Sequence, residues 1–183
     1  MAVSEIKIGG FGGQGVILTG IIVGRAASIY DDKYATMTQA FGPEARGSAC
    51  SSQVIVSEEP ILYPYVTHPG ILVVMSQEAF AKFYPEMADE GLLLYEQDLV
   101  TPKDLKPGIQ AFGIPATRFA EELGRKMVLN IVMTGFFAAT TGLIDAEAMR
   151  KAVEASVPPG TESLNLKAFE MGYQHGLSLV PAG

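Results

Sequence analysis

The sequence predicts an open α/β sheet with helices on both faces, and three observations lead to this fold class. Segments of strand length alternate with segments whose apolar residues recur every three or four positions. Residues 71–75 are entirely apolar, as expected of a central strand covered on both faces. Of the 183 residues, 48% are hydrophobic and 18% are charged, which is a globular composition. We expect residues 1–183 to form one domain.

Seven segments are predicted to be strands. The connection between the second and the third, residues 40–49, is too short for a parallel crossover, which needs about a dozen residues. These two strands, β2 and β3, are therefore expected to form an antiparallel pair in a doubly wound, Rossmann-like open sheet that is otherwise mostly parallel. Glu58-Glu59-Pro60 is typical of a hairpin turn into the next strand. The predicted strands are residues 6–8, 34–39, 50–57, 61–63, 71–75, 91–95 and 109–112.

Helical periodicity predicts helices between and after these strands. Gly124 is expected to break one of them. Ser76, Asp145 and Asn165 each precede a periodic segment and are predicted N-caps, because their side chains accept hydrogen bonds from free helix N–H groups. The predicted helices are residues 16 to about 30, 77–83, 117–139, 146–155 and 166–177.

The charge balance argues against nucleic acid and anionic membranes as partners. Lys and Arg total 13 against 20 Asp and Glu, so the net charge is −7. Such an acidic chain is poorly suited to nucleic acid or to an anionic membrane. The first residues lack a basic stretch followed by an apolar one, so we predict no signal peptide and a cytoplasmic location.

Cysteine and histidine usage argues against redox centres and metals on this chain. The single cysteine, Cys50, cannot form an internal disulfide or by itself hold an iron–sulfur cluster, and it is expected to be a small core residue. His68 and His175 are far apart in sequence, so no metal site is predicted. We find no ordered set of Ser, His and Asp, and no catalytic residue is predicted.

Residues 127–144 carry no charged side chain. The run is barely long enough to span a membrane and lacks basic flanks or aromatic belts at both ends, so it predicts a helix buried in the core or in a subunit interface. Asn130 lies inside this run, and a buried amide needs hydrogen-bond partners. It is expected to have a structural role at a helix break or, as the alternative, to face another subunit.

A glycine-rich segment, Gly10-Phe11-Gly12-Gly13-Gln14-Gly15, joins the first strand to the first helix. Glycines let the backbone approach a ligand closely, and the helix that follows offers free N–H groups to an anion. Phosphate binding and a simple tight turn are both open. A dinucleotide is less favoured, because the second strand ends in Met37-Thr38-Gln39 without the acid that holds a ribose.

A second polar segment, residues 42–48, follows the second strand and contains Arg46. The carboxyl ends of parallel strands meet at one edge of a sheet, so Arg46 could bind the same anion as the glycine segment. Two alternatives remain, namely that Arg46 pairs with Glu44 or a helix, or that this segment docks another subunit.

Together, these segments resemble the gamma subunits of 2-oxoacid:ferredoxin oxidoreductases. GGFGGQGV resembles the glycine signature of that family, and QAFGPEARGS resembles its second signature, with Ser48 where many relatives have glycine or alanine. The form E-A-R-G is more similar to the 2-oxoglutarate branch than to the pyruvate branch. The resemblance extends through PATRFAEELG, NIVMTGFFAATTGL and NLKAFEMGY, and so covers nearly the whole chain.

The resemblance implies the gamma subunit of an enzyme that oxidatively decarboxylates a 2-oxoacid with coenzyme A, giving acyl-coenzyme A, carbon dioxide and reduced ferredoxin. It implies thiamine diphosphate and iron–sulfur clusters on alpha, beta and ferredoxin-like partner subunits, with ferredoxin as the electron acceptor. This chain would hold no tightly bound cofactor and would be inactive alone. Carried over by position, coenzyme A would be contacted by Gly12, Gly13, Gln14, Gly15 and Arg46. A free-standing nucleotide-binding protein of the Rossmann type is the alternative.

Overall fold

The fold is built from six strands and six helices in the residues that the computed structural model describes, 3–40 and 48–181. A π-helical turn, Ala26–Tyr30, extends the first helix, and a 3₁₀ turn, Lys126–Val128, precedes the fourth. The strands are β1 (Ser4–Phe11), β2 (Tyr34–Ala40), β3 (Ala49–Ser57), β4 (Ile71–Val74), β5 (Glu90–Glu96) and β6 (Gly108–Ile114). The helices are α1 (Val16–Arg25), α2 (Gln77–Phe83), α3 (Ala116–Glu122), α4 (Leu129–Thr141), α5 (Ala146–Ser156) and α6 (Glu162–Leu179).

The six strands form one sheet in the order β2-β3-β1-β4-β5-β6. Strands β1, β4, β5 and β6 pair in parallel. Strand β3 lies between β2 and β1 and is antiparallel to both, so the predicted antiparallel β2/β3 pair is confirmed and a second such pair accompanies it. The carboxyl ends of β1, β2, β4, β5 and β6 therefore share one edge of the sheet with the amino end of β3. We call this the carboxyl edge.

Helices cover both faces of the sheet, as predicted. Along the central strands, successive side chains point to opposite faces. Val73 and Leu94 pack into a large cluster with α1 and α3 to α6, whereas Leu72 and Leu93 pack against α2. The N-caps of α2 and α5 are confirmed, because Ser76 Oγ accepts from Ala79 N at 3.1 Å and Asp145 Oδ2 accepts from Ala148 N at 3.0 Å.

Three details of the sequence interpretation are wrong. Residues 61–63 are not a strand, because β3 already has a neighbour on each side and no free edge for a hairpin. Asn165 does not cap α6, which begins at Glu162; its side chain donates back to Thr161 O at 2.9 Å. Helix α1 ends as an α-helix at Arg25, and the predicted stretch to Tyr30 is the π-helical turn.

The uncharged run 127–144 supplies α4, the helix at the centre of the larger cluster. Met133 and Phe136 are fully buried, so much of the apolar surface of this run packs inside the chain, although Met127 is 81% exposed. The predicted break occurs at Gly124, which has φ +79° and follows α3. Among the described residues, no helix is long and apolar enough to cross a membrane.

Helices α4 and α6 approach each other unusually closely through two glycines. A Cβ built on Gly135 would lie 1.9 Å from the carbonyl oxygen of Phe169, and one on Gly172 would lie 1.9 Å from that of Val132. Both distances are far inside van der Waals contact with rigid backbone. Each glycine therefore faces the backbone of the other helix, and the spacing of the two helices depends on both.

We expect Gly135→Ala to lower the free energy of unfolding by roughly 1–3 kcal/mol, because the helices must separate to admit one methyl group. The matched control is Gly24→Ala in α1, where an added Cβ meets no described atom within 4 Å. Alanine is the better helix former by about 1 kcal/mol, so the control should be neutral or stabilising. Chemical denaturation of the two variants measures the difference. Equal stabilities would contradict the close packing.

Candidate functional site

The centre of the carboxyl edge lies between β1 and β4. These neighbouring parallel strands lead to helices on opposite faces, because α1 packs in the larger cluster and α2 in the smaller. In open α/β sheets, the crevice at such a reversal is where ligands bind. The glycine turn, residues 11–15, follows β1 at this place.

Gln14 holds the turn together with its own side chain. Its Oε1 accepts from Phe11 N at 2.7 Å, and its Nε2 donates to Met75 O at 2.9 Å. Phe11 ends β1 and Met75 directly follows β4. The amide therefore bridges the two strand ends and lies at the floor of the crevice. Both of its polar groups are used internally, which the resemblance alone did not indicate.

Gly12 and Gly13 form the open part of the turn. Both are exposed, and a Cβ on either would meet no described atom within 4 Å. Their N–H groups donate to no acceptor in the described part of the chain. Helix α1 follows with no acidic residue in its first turn, so its amino end retains its partial positive charge. The turn can therefore offer backbone donors to an anion.

Gly15 is required by both conformation and space. Its φ is +76°, in the left-handed region that favours glycine, and a Cβ there would lie 2.3 Å from Nδ2 of Asn130. Asn130 is 3% exposed and donates from Nδ2 to Gly15 O at 3.3 Å. The structural role expected for Asn130 is confirmed. This side chain joins the amino end of α4 to the glycine turn.

Arg46 lies outside the described residues. The described residues before and after its segment reach the carboxyl edge, since Ala40 pairs with Ser51 and Phe11 pairs with Ala49. The predicted convergence of Arg46 with the glycine turn is therefore compatible with the strand register and stays a prediction.

A buried carboxylate at the same edge had not been anticipated. Glu96, at the end of β5, is fully buried and accepts hydrogen bonds from the hydroxyl of Thr117 and from Asp98 N. Arg118 forms a two-pronged ion pair with Asp98, at 2.7 and 3.0 Å, which raises the pKa of its guanidinium further. These bonds fasten the start of α3 to β5. The sequence signal for these bonds was two acids, Glu96 at the end of β5 and Asp98 just after it.

Cys50 and His175 are held in apolar surroundings. Burial raises the pKa of the Cys50 thiol, which disfavours the reactive thiolate. The ring of His175 packs against Phe119 and Phe136, with centroids 5.5 and 5.8 Å away. Within residues 3–40 and 48–181, no three His, Cys, Asp or Glu side chains are grouped closely enough to hold a metal ion.

The sheet and its glycine turn define an open α/β domain whose strand ends are arranged as in ligand-binding members of that class. The model of the pyruvate ferredoxin/flavodoxin oxidoreductase family matches residues 5–175. The chain belongs to this family, and the resemblance seen in its sequence is confirmed.

Individual relatives agree with this assignment. The 2-oxoglutarate synthase subunit KorC of Methanocaldococcus jannaschii is 48% identical over 172 residues, covering 93% of this chain and 92% of the relative. The ketoisovalerate oxidoreductase subunit VorA of Methanothermobacter thermautotrophicus is 35% identical over 173 residues, which are 92% of this chain but 35% of that protein. The crystal structure of a keto/oxoacid ferredoxin oxidoreductase gamma subunit from Geobacter sulfurreducens has a TM-score of 0.87 and 40% identity, covering 97% of this chain and 98% of that one.

We expect Gly15→Ala to be destabilising by about 1–3 kcal/mol from the left-handed backbone alone, with a further cost from displacing Asn130. Gly12→Ala is the control within the same turn, since its added methyl group enters open space. It should change the free energy of unfolding by less than about 0.5 kcal/mol. Thermal unfolding of both variants is the measurement. A stable Gly15→Ala variant would disprove the contact with Asn130.

Proposed function

We propose that this chain is the gamma subunit of a multi-subunit 2-oxoacid:ferredoxin oxidoreductase. The reaction is the coenzyme A-dependent oxidative decarboxylation of a 2-oxoacid to acyl-coenzyme A and carbon dioxide, with two electrons passing to ferredoxin. The observation that carries the proposal is the 48% identity with a 2-oxoglutarate synthase subunit over nearly the whole of both chains. We favour 2-oxoglutarate as the substrate, because three 2-oxoglutarate synthase subunits are 45–48% identical and the ketoisovalerate relative is 35% identical.

The composition supports a division of labour among subunits. A four-thiolate iron–sulfur cluster needs four cysteines, and this chain has one. We therefore assign the clusters and thiamine diphosphate to alpha, beta and ferredoxin-like partners, with the whole enzyme acting in the cytoplasm. Residues 1–183 serve as one gamma domain that holds no tightly bound cofactor and no catalytic residue.

At the carboxyl edge, we assign the glycine turn and Arg46 to a phosphate group of coenzyme A. Gly12 and Gly13 offer exposed N–H groups, and α1 adds the positive end of its dipole. Arg46 would add a permanent charge with paired donors. Gln14 and Gly15 act differently in this proposal. They shape the turn, because the Gln14 amide is engaged by Phe11 and Met75.

The alternative, a free-standing Rossmann-type nucleotide-binding protein, has less support. In a dinucleotide site, an acid at the end of the strand beside β1 holds the ribose. Here β3 separates β1 from β2, and its residue nearest the turn is Ala49. Asp31 precedes β2 and pairs with Lys33. Within residues 3–40 and 48–181, no acid lies at the end of the strand beside β1 nearest the turn.

In the assembled enzyme, we expect Arg46→Ala to raise the KM for coenzyme A about ten- to a hundredfold, the effect of losing a charge-assisted hydrogen bond worth roughly 1.5–3 kcal/mol. The KM for the 2-oxoacid should hardly change. Arg46→Lys should rescue only partly if the contact is two-pronged. The control is Arg25→Ala, which removes an exposed arginine from the far end of α1.

Size-exclusion chromatography separates this proposal from subunit docking through the same segment. A docking role would make the Arg46→Ala variant assemble poorly and impair every kinetic constant. An assembled variant with wild-type dependence on coenzyme A would refute the anion site.

The isolated chain should be catalytically inactive, because the electron-transfer groups are assigned to its partners. The measurement is 2-oxoacid-dependent reduction of a viologen dye, first with the purified chain and then after adding the other subunits. We expect reduction only in the second case. Turnover by the chain alone would contradict the division of labour, and an inactive complete complex would contradict the proposed reaction.

A further inference from the structure

Residues 58–68, which lie between β3 and β4, form hydrogen bonds with the described part of the chain only near their two ends. We call this segment the arm. At one end, Glu59 N donates to Ser57 Oγ at 3.1 Å. At the other, the N–H groups of Thr67 and His68 donate to one carboxylate oxygen of Glu5, at 3.0 and 2.9 Å. Between these anchors, residues 60–66 form no hydrogen bond with the described part of the chain.

The arm exposes large apolar side chains. Leu62 is 96% exposed, Tyr63 62% and Tyr65 56%. The two tyrosine rings meet edge to face, with centroids 5.4 Å apart, so each ring packs against the other. A lone exposed leucine is ordinary, but Leu62, Tyr63 and Tyr65 are three large exposed side chains within four residues.

These features are typical of a segment that binds another protein. Tyrosine is enriched among the residues that dominate binding energy in protein interfaces. Pro60 and Pro64 fix two backbone angles, which reduces the entropy that the arm loses when a partner orders it. The unpaired backbone groups remain available to the partner, which can pair with them as it would with an added strand.

We propose that the arm docks into an apolar cleft, rimmed by Lys or Arg, on another subunit of the same oxidoreductase; this rests on the proposed function. Glu58 and Glu59 are exposed beside the apolar residues and form no ion pair with any described residue. A second copy of this chain, with its net charge of −7, would bring like charges together. A basic rim complements them.

Two further observations favour a partner subunit. In the ketoisovalerate relative, the matched region is only 35% of a longer chain, so there the fold is joined to additional polypeptide. The arm also leaves the sheet at Ser57, which pairs with Tyr34 at the edge opposite the glycine turn. A subunit bound to the arm would therefore leave the candidate coenzyme A site accessible.

The first test is Leu62→Asp in the chain co-expressed with the other subunits. Leu62 is almost fully exposed, so the free variant should unfold at the wild-type temperature. We expect its affinity for the partner subunits to fall at least tenfold, because a charge cannot enter an apolar cleft. The matched control is Leu177→Asp on α6, at a position 44% exposed and outside the arm, which should assemble normally.

The second test needs no substitution. Amide hydrogen exchange of residues 61–63 and 65–66 should be nearly unprotected in the free chain, and at least tenfold slower in the complex.

A third test reverses the two charges beside the apolar residues. Glu58→Lys combined with Glu59→Lys should weaken assembly at low salt, and the defect should shrink as sodium chloride is raised.

Unchanged assembly of Leu62→Asp, equal damage from Leu177→Asp, or fast exchange of the arm amides in the complex would overturn the proposal. Self-association of the isolated chain that Leu62→Asp abolishes would assign the arm to a second copy and overturn it as well. The proposed reaction is refuted by a different result. A complex with a protected arm but no 2-oxoacid-dependent activity would refute the reaction and support the docking.

Discussion

The close approach of α4 and α6 through Gly135 and Gly172 is the constraint on which the candidate site depends. With no side chain at either position, each helix packs against the backbone of the other, and α4 can lie deep in the larger cluster. That depth brings Asn130, at the start of α4, within 3.3 Å of the carbonyl oxygen of Gly15. The core packing of two helices thus sets the position of a turn at the edge of the sheet.

The glycine turn combines rigid and open parts. Gln14 and Asn130 fix it from below, the first through the ends of β1 and β4 and the second through α4. The exposed glycines above them carry no side chain, and their N–H groups donate to no residue that the structure describes. Preorganised backbone donors lose little entropy on binding an anion, and the absence of side chains permits close approach. The four predicted contact residues of the turn therefore have two roles. Gln14 and Gly15 support the turn, and Gly12 and Gly13 can contact a ligand.

Local patterns predicted much of this fold because the interactions behind them are local. The apolar run of β4, the glycine break after α3 and the caps Ser76 and Asp145 depend on neighbours within a few residues. The insertion of β3 between β1 and β2 does not. It is a long-range pairing, and once it forms, the hairpin expected at residues 61–63 has no free edge. Asn165 failed as a cap for a related reason, since α6 begins one turn earlier.

The site was predictable in type but not in the roles of its residues. The glycine pattern indicated a turn able to meet an anion, and the family resemblance included Gln14 among the ligand contacts. Only the three-dimensional path of the chain shows that Met75, sixty-one residues away, occupies one end of the Gln14 amide. A buried Asn130 could be recognised from its uncharged surroundings. Its partner could not, because nothing in the sequence connects position 130 with Gly15.

The two edges of the sheet differ in a way that suits a subunit. At the carboxyl edge, Gly12 and Gly13 are exposed and offer backbone donors without side chains. At the opposite edge, the arm presents apolar side chains on a backbone anchored through Glu5 and Ser57. Both anchors belong to the β1/β3 pair, and β1 also leads into the glycine turn. Strand β1 therefore carries an anchor of the arm, Glu5, near one end and leads into the glycine turn at the other. Because β3 pairs with β1 along its length, this antiparallel pair connects the arm, proposed for docking, to the glycine turn, proposed for coenzyme A.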